Sequence, residues 1–195
     1  MALITMIKKL TAAGVVLAFP CLVNAKGGLH LMPSLSSINF AVMTKQIVEP
    51  IGINSLNGKI DPEGNVNVVI ELSEVPIENN HVVELLTGNK KLPNINFDAK
   101  INVKALNGYL GKLKLPAKIT TMGVAKNIDF PILLSSYGEH VILSSEQPVV
   151  VRASDFGLDI GRTIKFANSI GLVSLPESIP LNLTFVFKKS YLRGK

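Results

Sequence analysis

Cysteine is nearly absent from the chain, and this scarcity limits the chemistry available to it. The one cysteine among 195 residues is Cys21, within an N-terminal apolar segment. The three histidines, His30, His81 and His140, are isolated, and none has a second ligand two or four residues away. Zinc sites draw on clusters of these residue types. The sequence therefore predicts no metal site, and it predicts a mature protein that folds without disulfides.

Charge is also scarce, and tryptophan is missing altogether. Charged residues make up 17% of the chain, and the net charge is +6. The basic residues are scattered, apart from a cluster near the C-terminus made of Lys188, Lys189, Arg193 and Lys195. Nucleic-acid-binding proteins concentrate basic side chains in a stripe, often beside aromatic stacking platforms. The composition therefore argues against a nucleic-acid partner.

The N-terminus has the pattern of a secretory signal peptide. Lys8 and Lys9 precede an apolar run over residues 10–23, which is shorter than the roughly 20 residues of a membrane span. Small residues at Val23-Asn24-Ala25 suit cleavage after Ala25. We expect residues 1–25 to be removed, because an uncleaved anchor or a lipid-modified Cys21 fits these features less well. Residues 26–195 then form one exported domain with a net charge of +4, no cysteine and no membrane span.

Alternation of apolar and polar residues dominates the rest of the chain. Every second side chain of a strand lies on the same face of its sheet. Eight stretches have this pattern or are compatible with it: 36–44, 47–60, 65–72, 95–105, 112–119, 124–134, 140–151 and 181–188. Turn residues separate several of them, and Asn107-Gly108 predicts a two-residue hairpin. The prediction is an all-β, antiparallel fold, either a sandwich or a closed barrel of eight strands.

Two segments depart from the β pattern. Residues 79–87 are framed by asparagine and glycine, which are typical helix-capping residues. Residues 160–172 have apolar residues at helical spacing. The sequence therefore predicts one or two short helices beside the sheet.

Motifs of catalysis are missing. The chain contains no G-x-S-x-G elbow and no phosphate-binding glycine loop. The pair Ser144-Ser145 has no activating neighbour in the sequence, and Asp155 is more typical of a turn or cap acceptor because Phe156-Gly157 follows it. We predict no catalytic residues and no enzymatic activity. An eight-stranded barrel can then be filled by its own side chains or hold one small ligand, and the residues alone leave both open.

Four motifs resemble those of one known family. They are Ser36-Ser37-Ile38-Asn39-Phe40-Ala41-Val42 in an opening strand, Leu56-Asn57-Gly58-Lys59-Ile60 before a turn, Thr121-Met122-Gly123-Val124-Ala125-Lys126 in a hairpin, and Ser154-Asp155-Phe156-Gly157-Leu158 before a helical segment. In order and spacing, over residues 34–189, they resemble the YceI-like family of lipocalin-like, polyisoprenoid-binding proteins.

The resemblance implies a lipocalin-like barrel with a helical lid, a long apolar cavity, a periplasmic location and, in many members, dimers. It implies a binding or carrier role for an amphiphilic lipid with a polyisoprenoid or quinone-like chain, and no other cofactor. The chain departs from the family at Met122, where a histidine is frequent, at Glu78-Asn79-Asn80-His81, and at Ala153, where an arginine is frequent and Arg152 stands one place earlier. These changes remove polar groups that could meet a ligand headgroup, and they leave the apolar tunnel intact.

The inward positions of the alternating strands are the candidate ligand contacts. Met122 and Phe156 are candidates for the rim and lid. The tunnel candidates are Phe40, Val42, Val68, Ile70, Phe97, Ile101, Leu115, Ile128, Phe130, Phe185 and Phe187. The alternatives are a stress or interaction protein with a filled core and no ligand and, more distantly, an isomerase or hydrolase acting on a lipid.

Overall fold

Antiparallel β-strands make up most of the described part of the chain. The computed structural model describes residues 27–43, 48–72, 93–157 and 178–190. In chain order the strands are β1 (Leu29–Leu31), β2 (Ser37–Met43), β3 (Val48–Ile53), β4 (Leu56–Ile60), β5 (Asn65–Ile70), β6 (Ile95–Lys100), β7 (Leu110–Thr121), β8 (Val124–Tyr137), β9 (His140–Ser145), β10 (Val149–Arg152) and β11 (Ser178–Lys189). Short 3₁₀ turns lie at Pro33–Leu35, Val103–Leu106 and Ala153–Phe156.

The sheet closes on itself because β1 pairs with both β4 and β11. We call each continuous crossing of the barrel wall a path, whether it is one strand or two strands separated by a break. Three paths contain a break: β1 continues as β2, β3 continues as β4, and β9 continues as β10. The 12-residue strand β11 pairs with both parts of two of these paths. Counted as paths, the ring has eight members, each beside its neighbour in sequence. The predicted eight-stranded antiparallel barrel is confirmed.

Serine hydroxyls replace missing ladder bonds at two of the interruptions. Between β1 and β2, the buried Ser36 Oγ accepts a hydrogen bond from Val186 N at 2.9 Å and donates one to Met32 O at 2.8 Å. Between β9 and β10, Ser145 Oγ accepts from Leu183 N at 3.0 Å. Both hydroxyls accept hydrogen bonds from backbone N–H groups of β11. Ser145 therefore has a structural role, in keeping with the absence of a nucleophile motif around it.

Two details of the sequence prediction around β6 are wrong. The alternation continues to residue 105, but β6 ends at Lys100, and the chain turns into the 3₁₀ turn Val103–Leu106. Asn102 causes this, because its side-chain oxygen accepts from Lys104 N at 3.0 Å and so offers the backbone an alternative to the ladder. The link to β7 therefore spans residues 101–109, and Asn107-Gly108 lies within it instead of forming a two-residue hairpin.

The tight hairpins occur elsewhere. Met122 and Gly123 join β7 to β8 with φ values of 50° and 76°. Positive φ at both central residues is the requirement of a type I′ turn, whose twist matches that of the flanking strands. Gly138 and Glu139 join β8 to β9, and Gly138 has a φ of 59°. The predicted helices at 79–87 and 160–172 lie outside the described residues.

The two ends of the barrel differ in the connections that they carry. The links β4–β5, β6–β7 and β8–β9 lie at one end, together with the start of β1. Gly64 packs there against Ile101, whose N–H donates to the Gly64 carbonyl at 2.9 Å. Gly64 has a φ of 85°, and a Cβ on it would collide with the Ile101 carbonyl. This end is closed by tight backbone packing, and the hairpin at Met122 marks the opposite end.

Candidate functional site

An apolar cavity of about 300 Å³ occupies the half of the barrel that ends at the Met122 hairpin. Its walls come from strand residues that alternate inward, together with side chains at the rim. The lining residues are Ile38, Phe40, Ile53, Ile70, Leu72, Pro93, Ile95, Phe97, Ile119, Thr121, Met122, Phe130, Val151, Phe156, Ile179, Leu181, Leu183 and Phe185. The volume is at the lower end of the range of small-molecule sites.

The lining is almost free of polar groups. Thr121 is the one hydroxyl-bearing residue among the described lining residues, and its Oγ1 donates to the carbonyl of Asn94 at 3.3 Å. No buried side-chain nitrogen or oxygen of the described residues lacks a hydrogen-bond partner. An apolar cavity of this kind suits hydrocarbon, because a polar group placed inside would lose its hydrogen bonds to water without replacement.

Three phenylalanine rings form the floor of the cavity. Phe97 of β6 contacts Phe130 of β8 at a ring-centroid distance of 5.3 Å and Phe185 of β11 at 5.4 Å. The interplanar angles of 66° and 81° are edge-to-face arrangements, which aromatic pairs favour. All three rings are at most 2% exposed. Because β6 and β11 lie on opposite sides of the eight-membered ring of strands, the contact between Phe97 and Phe185 closes the interior across its full width.

Below this floor the barrel is filled by its own side chains. Phe187 lies directly beneath, with its ring centroid 6.5 Å from that of Phe185. The neighbouring inward residues are at most 1% exposed and do not border the cavity: Ile60, Val66, Val68, Ile132, Leu134, Val141, Leu143 and Phe187. An eight-stranded barrel is just wide enough for side chains to fill it. The barrel is thus hollow in one half and filled in the other.

The predicted tunnel residues divide between these halves. Phe40, Ile70, Phe97, Phe130 and Phe185 line the cavity, as do the rim candidates Met122 and Phe156. Val68, Ile101, Leu115 and Phe187 are buried in the packed core outside the cavity lining, and the half-buried Ile128 packs against that core. The side chain of Val42 lies outside the described part of the structure.

Sequence reasoning omitted lining residues on strands that it had recognised. Ile38, Ile95, Ile119, Leu181 and Leu183 lie two residues from recognised positions or continue the same alternation. The signal that could have found them is the alternation itself, applied to every inward position. Pro93 and Thr121 stand two residues from Ile95 and Ile119 and so continue the same alternation, but a proline and a threonine do not extend an apolar strand face in the sequence.

The rim near Phe156 carries charged side chains. The 3₁₀ turn Ala153–Phe156 buries Phe156, which is 6% exposed, against the barrel. The Asp155 carboxylate lies 4.0 Å from Lys126 Nζ on β8, and each side chain is a little less than half exposed. Asp155 thus takes part in a surface ion pair, which contributes little to stability.

The described residues contain no cluster of metal-ligating side chains. No group of three or more His, Cys, Asp or Glu side chains among them comes close enough to hold an ion. His30 on β1 is exposed, His140 on β9 is half-buried, and His81 lies outside the described ranges. Within the described part, no helix has the length and apolar character needed to cross a bilayer.

Comparison with known proteins agrees with this architecture. The family model described as the YceI-like domain matches residues 29–187. A polyisoprenoid binding domain from Saccharophagus degradans, implicated in plant cell wall breakdown, superposes with a TM-score of 0.72 at 17% identity, over 84% of this chain and 99% of its own. BcnA of Burkholderia cenocepacia superposes with a TM-score of 0.54 at 13% identity, over 80% and 98% of the two chains. No curated protein sequence matches.

Proposed function

The chain belongs to the YceI-like domain family, and from this premise we propose that it is an exported, periplasmic binding or carrier protein for an amphiphilic lipid. Its open half holds the apolar chain of a polyisoprenoid or quinone-like molecule. The observation that carries the proposal is the apolar cavity of about 300 Å³ above the phenylalanine floor. The polyisoprenoid binding domain of Saccharophagus degradans, which has the same fold, supports this class of ligand.

Burial of hydrocarbon supplies the affinity. Transfer of apolar surface from water contributes about 25 cal/mol per Å². Part of this gain in free energy offsets the translational, rotational and conformational entropy that the ligand loses on binding. The walls are strands of a closed sheet, so the cavity is largely formed before the ligand enters. A preformed site of this kind limits the ordering cost.

The ligand enters with its apolar end first. The single described hydroxyl of the lining, that of Thr121, already donates to Asn94 O. A polar headgroup inside the cavity would therefore lack partners, whereas at the rim it meets solvent and the exposed side chains of Lys126 and Arg152. The protein thus shields the chain from water and leaves the head accessible, which suits transfer between a membrane and another acceptor.

Export is supported by the N-terminal sequence. Lys8 and Lys9, the apolar run that follows and the small residues before Lys26 together form a cleavable secretory signal. A carrier that moves lipids through the periplasm must itself be exported. A binding role without catalysis is proposed, because the described residues bring no nucleophile, acid or base to the cavity wall.

Purified mature protein tests the proposal directly. We expect organic-solvent extraction followed by mass spectrometry to recover a lipid with a polyprenyl or quinone-like chain, close to one molecule per protein. Leu181→Trp, which fills the cavity from β11, should abolish this recovery. Val150→Trp is the matched control, because Val150 is 55% exposed on the neighbouring strand β10, and it should retain lipid as the wild type does.

Two results would count against the proposal. Wild-type protein that carries no lipid, and that takes up none from vesicles containing polyprenol, would contradict a binding role. Equal lipid recovery from Leu181→Trp and Val150→Trp would mean that the lipid is held on the outer surface of the barrel.

A further inference from the structure

The phenylalanine floor limits the depth of the cavity. We propose that Phe97, Phe130 and Phe185 act as a length stop, which limits how much of an apolar chain the protein can bury. This inference rests on the proposed lipid-binding function and adds to it the size class of the ligand. The protein then selects a short apolar chain, or binds only the terminal segment of a long one.

The stop lies at one level of the barrel. In the strand register, Phe97 lies opposite Val68 on β5 and Ile119 on β7. Ile119 lines the cavity, whereas Val68 belongs to the filled half at 1% exposure. The boundary between the hollow half and the filled half therefore runs through the position of Phe97, where its ring meets those of the two other phenylalanines.

Movement of these rings is restricted. Phe97 contacts both partners edge-to-face, and Phe185 is supported from below by Phe187 at an interplanar angle of 80°. The side chains beneath the rings are almost completely buried, so a ring pushed by an incoming chain has no empty space below it. A chain that reaches the floor must stop there, since the side chains beneath are fully buried.

The depth above the floor defines the limit. Six residues of β11 separate Phe185 from Ile179 at the rim, which is about 20 Å along the strand. The tilt of strands in a closed barrel reduces this distance to about 15 Å along the barrel axis. Isoprene units within this depth lose contact with water, whereas further units protrude from the rim and contribute nothing.

Affinity should therefore rise with chain length and then stop rising. We would displace dansylated farnesol from the mature protein with geraniol, farnesol, geranylgeraniol and solanesol at a fixed detergent concentration. Each isoprene unit that enters the cavity should raise the affinity by about tenfold or more. Beyond the length that reaches the floor, the affinity per molecule should stay within about twofold of a constant value.

A variant that removes part of the floor and a variant that adds a ring above it should move this length limit in opposite directions. Phe97→Ala opens the floor, and the limit should move to longer prenols. Ile95→Phe, on the same face of β6 and one step nearer the rim, should move it to shorter ones, and it keeps the test decisive if Phe97→Ala does not fold. Leu134→Ala is the matched control, because it removes a fully buried side chain of the filled half that takes no part in the ring contacts of the floor, and the limit should stay at the wild-type length.

The length stop and the proposed function fail in different ways. Wild-type affinity that keeps rising through solanesol, or a limit that stays the same in Phe97→Ala and Ile95→Phe, would overturn the length stop and leave lipid binding intact. Wild-type protein that binds none of the four prenols would overturn lipid binding itself, and the length stop with it.

Discussion

At the scale of single residues, Asp61 shows how one side chain fixes a turn. Its Oδ1 accepts from the backbone N–H of Asn65 at 2.8 Å and of Glu63 at 3.0 Å, and its Oδ2 accepts from the Asn65 side chain at 2.6 Å. The hydrogen bond from the Asn65 side chain is the largest cause that lowers the pKa of Asp61 below its usual value; desolvation opposes it, and the backbone donors and the charge of Lys100 lower the pKa further. The turn is therefore stabilised by the ionised carboxylate.

The pH dependence follows from the direction of this shift. Since the folded pKa lies below the unfolded one, the contribution of Asp61 is fully present above the unfolded pKa and is lost as the pH falls through the folded pKa. Asp61→Asn lacks this contribution. We expect the wild type to be more stable at pH 7, and the difference to shrink below about pH 4. Urea denaturation of both proteins from pH 7 to about pH 3 measures it, and a constant difference would contradict the assignment.

At the scale of elements, the long strand β11 depends on side chains where its neighbours are interrupted. Ser36 supplies the acceptor for Val186 N, and Ser145 supplies it for Leu183 N. Without these hydroxyls, each break would leave a β11 donor unpaired next to the core. Sequence patterns do not reveal this role, because the bonds join residues 150 and 38 positions apart.

Removal of the buried hydroxyl should be costly. Ser36→Ala leaves Val186 N without its acceptor in a buried site, and we expect a loss of about 1–3 kcal/mol in the free energy of unfolding. Ser37→Ala is the matched control, because the Ser37 hydroxyl only accepts from the exposed side chain of Asn39, and its effect should stay within about 0.5 kcal/mol. Urea denaturation distinguishes the two, and equal losses would show that Ser36 does not repair the ladder.

At the scale of the whole molecule, the barrel joins a filled half and a hollow half. The inward side chains of the filled half are almost completely buried, whereas those of the hollow half lose packing contacts where they line the cavity. Regions with fewer buried contacts open at lower free energy than the packed core. The hollow half is therefore locally less stable than the filled half, because the space that can hold a ligand is not filled by side chains.

Hydrogen exchange should separate the two halves. Amides around Ile132, Leu134 and Leu143 should exchange only through global unfolding, whereas those around Ile95 and Leu181 should exchange through local opening. Bound farnesol should slow the second group and leave the first unchanged. Mass spectrometry of the exchanged protein measures both, with Leu181→Trp as the variant that should show no ligand effect. Equal protection of both groups by ligand would argue against a cavity confined to one half.

The sequence by itself determined the number of strand paths, their antiparallel order and the side of each strand that faces the interior. Alternation encodes that side directly, because successive side chains point to opposite faces. The stretches 47–60 and 140–151 each proved to be one path around the barrel, although each contains a break. The family resemblance, now shown by the match over residues 29–187, followed from short motifs along these same strands.

Only the tertiary structure decided which inward residues border empty space. Phe97 and Ile101 share the inward pattern in the sequence, yet Phe97 lines the cavity and Ile101 packs at the closed end beside Gly64. Alternation says nothing about height along the barrel axis, because that height depends on the register of each strand with its neighbours. Phe97, Phe130 and Phe185 lie on three strands distant in sequence, and they meet at one level only because the closed sheet fixes that register.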